Sequence, residues 1–391
     1  MMDYSKLIAP HISDLAPSGI RKFFDIAAEM KDAISLGVGE PDFVTPWSVR
    51  EAGIYSLEKG RTHYSANSGL LELRNEICAY LERKYNLSYD PKTETLVTVG
   101  GSEAIDLLIR AIISHGDEVL IPEPCFVCYK PCTLMAGGTP VTIQTEEKDN
   151  FKLTPEKLLE KITPRSKLLI LPFPNNPTGA VMTREDLEKI AEIVREHDLF
   201  VLSDEIYGEL TYTGQPHVPF ATIEGMQERT VTVNGFSKAF AMTGWRLGYA
   251  CGPREIISQM TKIHQYAIMC APTTSQFAAI EALRSCDDDV EYMCTQYDHR
   301  RRVMVNGFRE MGLSCFEPLG AFYVFPNISK TGLSSNDFAT QLLYDKKVAV
   351  VPGTAFGECG EGFIRCSYAY SIKNIEKALE RIGEFVKEHT V

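Results

Sequence analysis

Between about residues 95 and 265, short apolar segments alternate with longer amphipathic ones, and this alternation restricts the fold more than any other feature of the sequence. Apolar runs of this length are typical of buried strands, and the intervening segments carry apolar residues at the i, i+3 and i+4 spacing of helices. Strands that are apolar on both faces predict a parallel sheet covered by helices. The predicted strands are 96–99, 118–121, 167–171, 199–202, 230–233 and 247–250, and the predicted helices are 103–114, 127–136, 184–198 and 254–265.

The pattern changes after Pro272, where a long polar helical stretch over 275–311 is followed by short strands and helices in an α+β order. The sequence therefore predicts an α/β fold with a large, mostly parallel sheet and a smaller α+β domain built from both chain ends. We expect an N-terminal segment, 1–45, to pack with the small domain. The large domain is expected over 46–285 and the small C-terminal domain over 286–391.

Composition excludes several classes of protein. Forty Lys and Arg against 52 Asp and Glu give a net charge of −12, without the basic surface of a general nucleic-acid binder. We find no signal-peptide pattern and no apolar run near 18 residues, so no membrane partner is expected. The 11 cysteines lack the spacing of a disulfide framework, and Cys125, Cys128 and Cys132 have no second Cys/His pair at zinc-site spacing. We expect a cytoplasmic protein without a metal.

Polar motifs follow four of the predicted strands, at the point where each strand ends. Ligands of parallel α/β sheets bind beyond the carboxyl ends of the strands. Because four neighbouring strand ends carry such motifs, the sequence predicts a single site there. The motifs are Gly100-Gly101-Ser102, the segment 172–179, Ser203-Asp204-Glu205-Ile206-Tyr207 and the segment 234–238.

One part of this site is suited to an anion. Gly101 and Ser102 open a helix, whose free N–H groups and positive end attract negative charge. Arg246 and Ser237 are candidates for a cation and a further donor. Taken alone, a glycine before a helix is common, and Arg246 is equally interpretable as a surface cation. Dinucleotide-binding and P-loop patterns are absent from the sequence.

The other candidates suit chemistry on an amino group. Lys238 follows a predicted strand, where partial burial would lower its pKa and make its amine nucleophilic. Asp204 ends a buried strand and needs a partner, either the N–H groups of the next segment or a cationic ring nitrogen. Tyr207 and Asn176 are candidates to bind a phenolic oxygen, and structural roles are the alternative for both.

The sequence resembles the class I/II aminotransferases, which are pyridoxal-phosphate enzymes of the aspartate aminotransferase fold. The resemblance rests on NNPTG at 175–179, SDEIY at 203–207 and SKAFAMTGWRLGY at 237–249, and it extends from GVGEPDF at 37–43 to Ile364-Arg365. It implies an enzyme of amino-acid metabolism and biosynthesis that moves an amino group between an L-amino acid and a 2-oxo acid with ping-pong kinetics.

The resemblance also implies roles for single residues in binding pyridoxal 5′-phosphate. Lys238 matches the lysine that bonds to the cofactor, and Asp204 matches the carboxylate on its ring nitrogen. Tyr207 and Asn176 match the pair that binds its phenolic oxygen. The family's phosphate contacts are matched by Gly101, Ser102, Ser237 and Arg246. Phe126 matches the aromatic ring that stacks on the cofactor.

Further matched positions concern the substrate and a second subunit. Arg365 matches the arginine that binds the substrate α-carboxylate, with Gly39 and Asn176 nearby. Tyr64 matches a tyrosine that reaches the neighbouring subunit's phosphate, so the resemblance implies a homodimer.

The substrate is less well defined by the sequence. One subgroup of aspartate aminotransferases has a lysine where this chain has Ser102, and several segments look more like bacterial N-acetyl-diaminopimelate aminotransferases. Arg21 is a candidate for a distal carboxylate, with a surface cation as the alternative, and aromatic substrates also remain open. Two other functions stay open as well: a pyridoxal-phosphate-dependent C–S β-lyase and a non-catalytic aminotransferase-like regulator.

Overall fold

A computed structural model describes residues 2, 4, 7–13, 15, 30 and 32–390 of the chain. The strands are β1 Ile34–Ser35, β2 Thr95–Thr98, β3 Glu118–Glu123, β4 Thr139–Gln144, β5 Ser166–Leu171, β6 Phe200–Asp204, β7 Thr230–Gly235, β8 Gly248–Cys251, β9 Tyr323–Val324, β10 Val348–Ala349, β11 Val351–Pro352 and β12 Ile364–Ser367. Seven of them form one large sheet with the strand order β2-β8-β7-β6-β5-β3-β4. Strand β8 is antiparallel to both of its neighbours, and the other pairs in this sheet are parallel.

Alternate residues of the central strands are buried on opposite faces of this sheet. Leu169 and Leu171 of β5 pack in one apolar cluster with the Arg184–Glu196 helix, while Leu168 and Ile170 pack in another with the Gly101–Ile112 helix. The prediction of a mostly parallel sheet covered by helices is confirmed. The α-helices span Pro10–Ser13, Trp47–Glu58, Leu71–Tyr85, Gly101–Ile112, Tyr129–Met135, Pro155–Leu159, Arg184–Glu196, Arg254–Ala267, Thr273–Ser285, Asp287–Glu310, Ser335–Lys346 and Ile372–His389.

Two small sheets lie in the region where the two chain ends meet. Strand β1 pairs in parallel with β10, and β12 pairs antiparallel with both β11 and β9. The N-terminal part of the chain therefore contacts the C-terminal part through backbone hydrogen bonds. The boundaries expected for the domains stay a prediction. The helical stretch expected over 275–311 consists of two helices, because the backbone leaves helical geometry at Cys286.

The end of strand β6 packs directly on the three-stranded sheet. Tyr207 shares an apolar cluster with Phe322, Tyr323 and Cys366, all of which are buried. This contact joins the carboxyl edge of the large sheet to residues from the last third of the chain. The chain's polar strand ends thus face β9 and β12, and the candidate site lies where these layers meet.

Among the described residues, no helix is both long and apolar enough to cross a membrane. The described part of the chain also holds no cluster of His, Cys, Asp and Glu suited to a metal ion. All 11 cysteines fall within 32–390, and each is a free thiol.

Candidate active site

A cavity of about 510 Å³ opens at the carboxyl edge of the large sheet. Its walls come from the ends of β5, β6 and β7, from the start of the Gly101–Ile112 helix, and from β9 and β12. Most of the residues predicted from the sequence line this cavity, namely Gly39, Gly101, Ser102, Phe126, Asn176, Asp204, Tyr207, Ser237, Lys238, Arg246 and Arg365.

Two predicted residues do not join them. Tyr64 is 81% exposed and contributes nothing to the cavity wall of this chain. That position is compatible with a role in a neighbouring subunit but not in its own site. Arg21 lies outside the described residues.

Lys238 is half-buried just beyond strand β7, and its Nζ donates a hydrogen bond to the Gly39 carbonyl oxygen at 2.6 Å. The ammonium also lies 5.8 Å from the centre of the Tyr207 ring. Burial, followed by the positive charge of Arg365, lowers the pKa of Lys238 to about 8. About a tenth of this lysine is therefore a neutral, nucleophilic amine at pH 7, far more than for a lysine with an ordinary pKa.

Asp204 is the last residue of β6 and is only 7% exposed. Its Oδ2 accepts a hydrogen bond from the Tyr129 hydroxyl at 2.7 Å, and its Oδ1 accepts one from the Ile206 N–H at 3.3 Å. Burial raises the pKa of Asp204, while these two donors lower it. No cation of the described residues forms an ion pair with this carboxylate, so it can still bind a positively charged group.

Two tyrosines meet at the cavity wall, Tyr207 from the turn after β6 and Tyr323 from β9. The hydroxyl oxygens of Tyr207 and Tyr323 are 2.8 Å apart and share a hydrogen bond. Burial raises the pKa of Tyr207 well above its ordinary value, so its hydroxyl stays protonated and available as a donor. This bond ties the end of β6 to β9.

Arg365 of β12 is a buried cation, only 2% exposed. Its Nη1 donates to Asn176 Oδ1 at 2.9 Å, and its Nη2 donates to the Gly37 carbonyl oxygen. The guanidinium lies against the Tyr323 and Phe356 rings, 4.4 and 4.8 Å from their centres. The arginine is thus held in one orientation, which suits it to bind a planar carboxylate with two N–H groups.

The anion-binding part of the cavity is built around a close backbone contact. Gly100 precedes the Gly101–Ile112 helix with φ of 78°, and a Cβ on it would lie 2.8 Å from Arg246 Nη2. Arg246 itself donates to the Thr243 carbonyl oxygen at 3.0 Å. Ser102 and Ser237 place hydroxyl groups on the same cavity. Free helix N–H groups, a guanidinium and two hydroxyls together can hold a phosphate.

The sequence prediction missed two residues of the site. Tyr129 donates to Asp204, and Tyr323 bonds to Tyr207, although 75 and 116 residues separate the partners. Neither tyrosine belongs to a motif whose chemistry marks it out. Tyr323 lies within the stretch over which the sequence resembles the family, between residues 37 and 365, but no role was predicted for it.

Comparisons with known proteins place the chain in a family. A model of the family "Aminotransferase class I and II" matches residues 31–382. The putative aminotransferase YugH of Bacillus subtilis is 52% identical to this chain, covering 98% of it and 99% of the relative. An aspartate aminotransferase of Pyrococcus abyssi is 47% identical over 95% of this chain and 96% of its own length.

Two further proteins that are named for other activities are also similar to the chain. A probable N-acetyl-LL-diaminopimelate aminotransferase of Bacillus subtilis is 41% identical over 97% of this chain and 96% of its own length. A crystal structure of an aromatic aminotransferase from Pyrococcus horikoshii superposes with a TM-score of 0.90 at 46% identity, covering 94% of this chain and 99% of that one. The resemblance stated from the sequence motifs is confirmed, and amino-group transfer is preferred to the C–S lyase and regulator alternatives. The chain belongs to the class I and II aminotransferases and is an enzyme of that class.

Proposed function

We propose that this aminotransferase uses pyridoxal 5′-phosphate to move an amino group between an L-amino acid and a 2-oxo acid. The observation that carries the proposal is the composition of one cavity. It contains a lysine of lowered pKa, a buried carboxylate without a cationic partner among the described residues, and a guanidinium beside a helix start. Each of these groups matches one chemical part of that cofactor.

The residues of the cavity fit the cofactor at both of its polar ends. A buried carboxylate needs a positive partner, and a protonated ring nitrogen would provide one for Asp204. The Gly101 backbone, Ser102, Ser237 and Arg246 would hold the phosphate. Phe126 lines the same cavity and offers an aromatic face for stacking.

When bound, pyridoxal phosphate supplies an aldehyde that reacts with amines and a ring that withdraws electrons from the substrate's Cα. The Lys238 amine would be the group that meets this aldehyde, and as a free amine it would serve as the general base for the substrate's Cα proton. Asp204 would hold the ring nitrogen in its protonated form. Tyr207 and Asn176 would bind the phenolic oxygen, and Arg365 would bind the substrate α-carboxylate. Because donor and acceptor use the same groups in turn, we expect ping-pong kinetics.

The α-carboxylate site predicts an amino-acid donor without specifying its side chain. Three cations line the cavity within the described residues: Lys238, Arg246 and Arg365. All three are assigned above, so a second carboxylate on the substrate would need a further cation, for which Arg21 is the candidate from the sequence. Aspartate, aromatic and acetylated diamino acids are therefore the donors to compare.

A homodimer completes this proposal. Tyr64 is 81% exposed, and so are large apolar side chains elsewhere on the surface, including Tyr266 at 85% and Trp47 at 58%. Exposed side chains of this size are available for contact with a second copy of the chain. We propose that Tyr64 contacts the phosphate of a second copy. We also propose a cytoplasmic location, supported by the 11 free cysteines.

A titration and a half-reaction test the proposal. Apoprotein mixed with pyridoxal phosphate should gain a visible absorbance band, which each reactive L-amino acid should then bleach in the absence of any 2-oxo acid. Lys238→Ala should lose both responses, whereas Lys189→Ala, on an exposed face of the Arg184–Glu196 helix, should keep them. A Lys238→Ala enzyme with wild-type turnover would refute the proposed role of this lysine.

A further inference from the structure

Glu103 places a carboxylate in the same helix turn as the proposed phosphate site. It is the third residue of the Gly101–Ile112 helix, and its Oε2 accepts a hydrogen bond from the Val99 N–H. Glu103 thereby fixes the backbone that leads from strand β2 into the anion-binding turn. The same carboxylate, however, repels any phosphate bound there and competes with it for the positive helix end.

His264 is the partner of this carboxylate. Its Nδ1 lies 2.7 Å from Glu103 Oε1, and the imidazole is fully buried on the Arg254–Ala267 helix. Because a carboxylate only accepts, Nδ1 must carry the proton that it donates. The other ring nitrogen, Nε2, is buried without a hydrogen-bond partner among the described residues. The single strong bond of this histidine is therefore directed at Glu103.

We propose that Glu103 and His264 act as one positioning unit for the phosphate-binding turn. Glu103 holds the Val99 backbone, and His264 holds the Glu103 carboxylate away from the phosphate. The inference rests on the proposed function, because it takes the phosphate to bind at Gly101 and Ser102. Neither residue lines the cavity, so we expect their effect to act through the turn and to appear in phosphate recognition.

The turn has little freedom to adapt if this unit is lost. A Cβ on Gly248 would lie 2.6 Å from the Gly100 carbonyl carbon and the Gly101 nitrogen, so the backbone of β8 packs directly against the turn. The Thr98 hydroxyl donates to the Gly100 carbonyl oxygen at 2.9 Å. When His264 is removed, we therefore expect the Glu103 side chain to turn towards the phosphate site while the backbone of the turn stays in place.

The test compares two probes of the apoprotein, pyridoxal 5′-phosphate and pyridoxal, by fluorescence titration. His264→Leu should raise the Kd for pyridoxal phosphate by roughly tenfold, the effect of one lost hydrogen bond to a charged group, and leave the Kd for pyridoxal unchanged. His264→Asn keeps a donor near the Nδ1 position and should restore the wild-type ratio. The double variant Glu103→Gln/His264→Leu should bind pyridoxal phosphate more tightly than His264→Leu alone, because the repelling charge is gone.

A second buried pair provides the matched control. His217 Nε2 lies 3.2 Å from Glu205 Oε2, the His217 side chain is 10% exposed, and the residue does not line the cavity. His217→Leu should leave the ratio of the two Kd values unchanged. Should His264→Leu fail to fold, Glu103→Asp tests the same idea, because it keeps the charge but withdraws it from both Val99 and His264.

The outcomes separate the two proposals. An equal loss of affinity for both probes in His264→Leu, or an unchanged ratio in Glu103→Asp, would overturn the positioning role. A wild-type apoprotein that binds pyridoxal as tightly as pyridoxal phosphate would instead contradict the phosphate assignment of the proposed function.

Discussion

Replacing Arg365 by lysine keeps the positive charge but removes the planar pair of N–H donors. Arg365 is held by Asn176 and Gly37 and packed between two rings, so its guanidinium presents one fixed face. Lysine is a point charge on a flexible stem and can donate from one position only. The substitution therefore tests the geometry of carboxylate binding separately from its charge.

The expected loss follows from the number of hydrogen bonds removed. One hydrogen bond to a charged group contributes about 1.5 to 3 kcal/mol, which corresponds to roughly a 10- to 150-fold loss in kcat/KM. The carboxylate is held equally before and during the chemical step, so most of the loss should appear in KM. Every amino donor carries this carboxylate, and the loss should be similar for all of them.

The assay measures kcat and KM of the holoenzyme for an aspartate, an aromatic and an aliphatic donor. Arg301→Lys is the matched control, because Arg301 is 4% exposed but pairs with Asp298 and Glu317 away from the cavity. We expect it to lower thermal stability and to leave KM unchanged. An Arg365→Lys enzyme with KM within twofold of wild type for all three donors would remove this arginine from carboxylate binding.

Two further predictions concern ionisation. Tyr129→Phe removes a hydrogen-bond donor that lowers the pKa of Asp204. The acidic limb of the kcat–pH profile should therefore move to higher pH. A limb that stays in place would contradict this role of the Tyr129 hydroxyl. In the folded apoprotein the pKa of Lys238 is about 8, whereas its ordinary value, taken for the unfolded chain, is 10.5. Between pH 8 and 10.5 the unfolded chain therefore binds more protons than the folded one, and the free energy of unfolding rises with pH. Lys238→Met should therefore be more stable than wild type at pH 7, by at most about 3 kcal/mol, with the gap closing towards pH 10.5 in urea titrations. If the difference in unfolding free energy between this variant and wild type did not change with pH, burial would not be destabilising the Lys238 ammonium.

The sequence pattern predicted the central strands well because each is apolar on both faces. Strand β4 was missed, since it lies at the sheet edge and most of its residues are partly exposed. The antiparallel direction of β8 was also beyond prediction, because a buried strand has the same apolar pattern in either direction.

The site residues were predictable where they follow strands in recognisable motifs, as Lys238 and Asp204 do. Tyr129 and Tyr323 were not, because their roles depend on partners that only the folded chain brings near. A hydrogen bond between side chains far apart in the sequence produces no local periodicity or spacing from which it could be predicted. The same holds for His264, whose partner Glu103 lies 161 residues away.

The hydrogen bonds of Arg365 have a consequence for biosynthesis on the ribosome. Its partners Asn176 and Gly37 precede it by 189 and 328 residues. The ribosome therefore adds Arg365 long after Lys238 and the Gly100-Gly101-Ser102 turn. The site proposed for the substrate carboxylate cannot form until strand β12 has been synthesised.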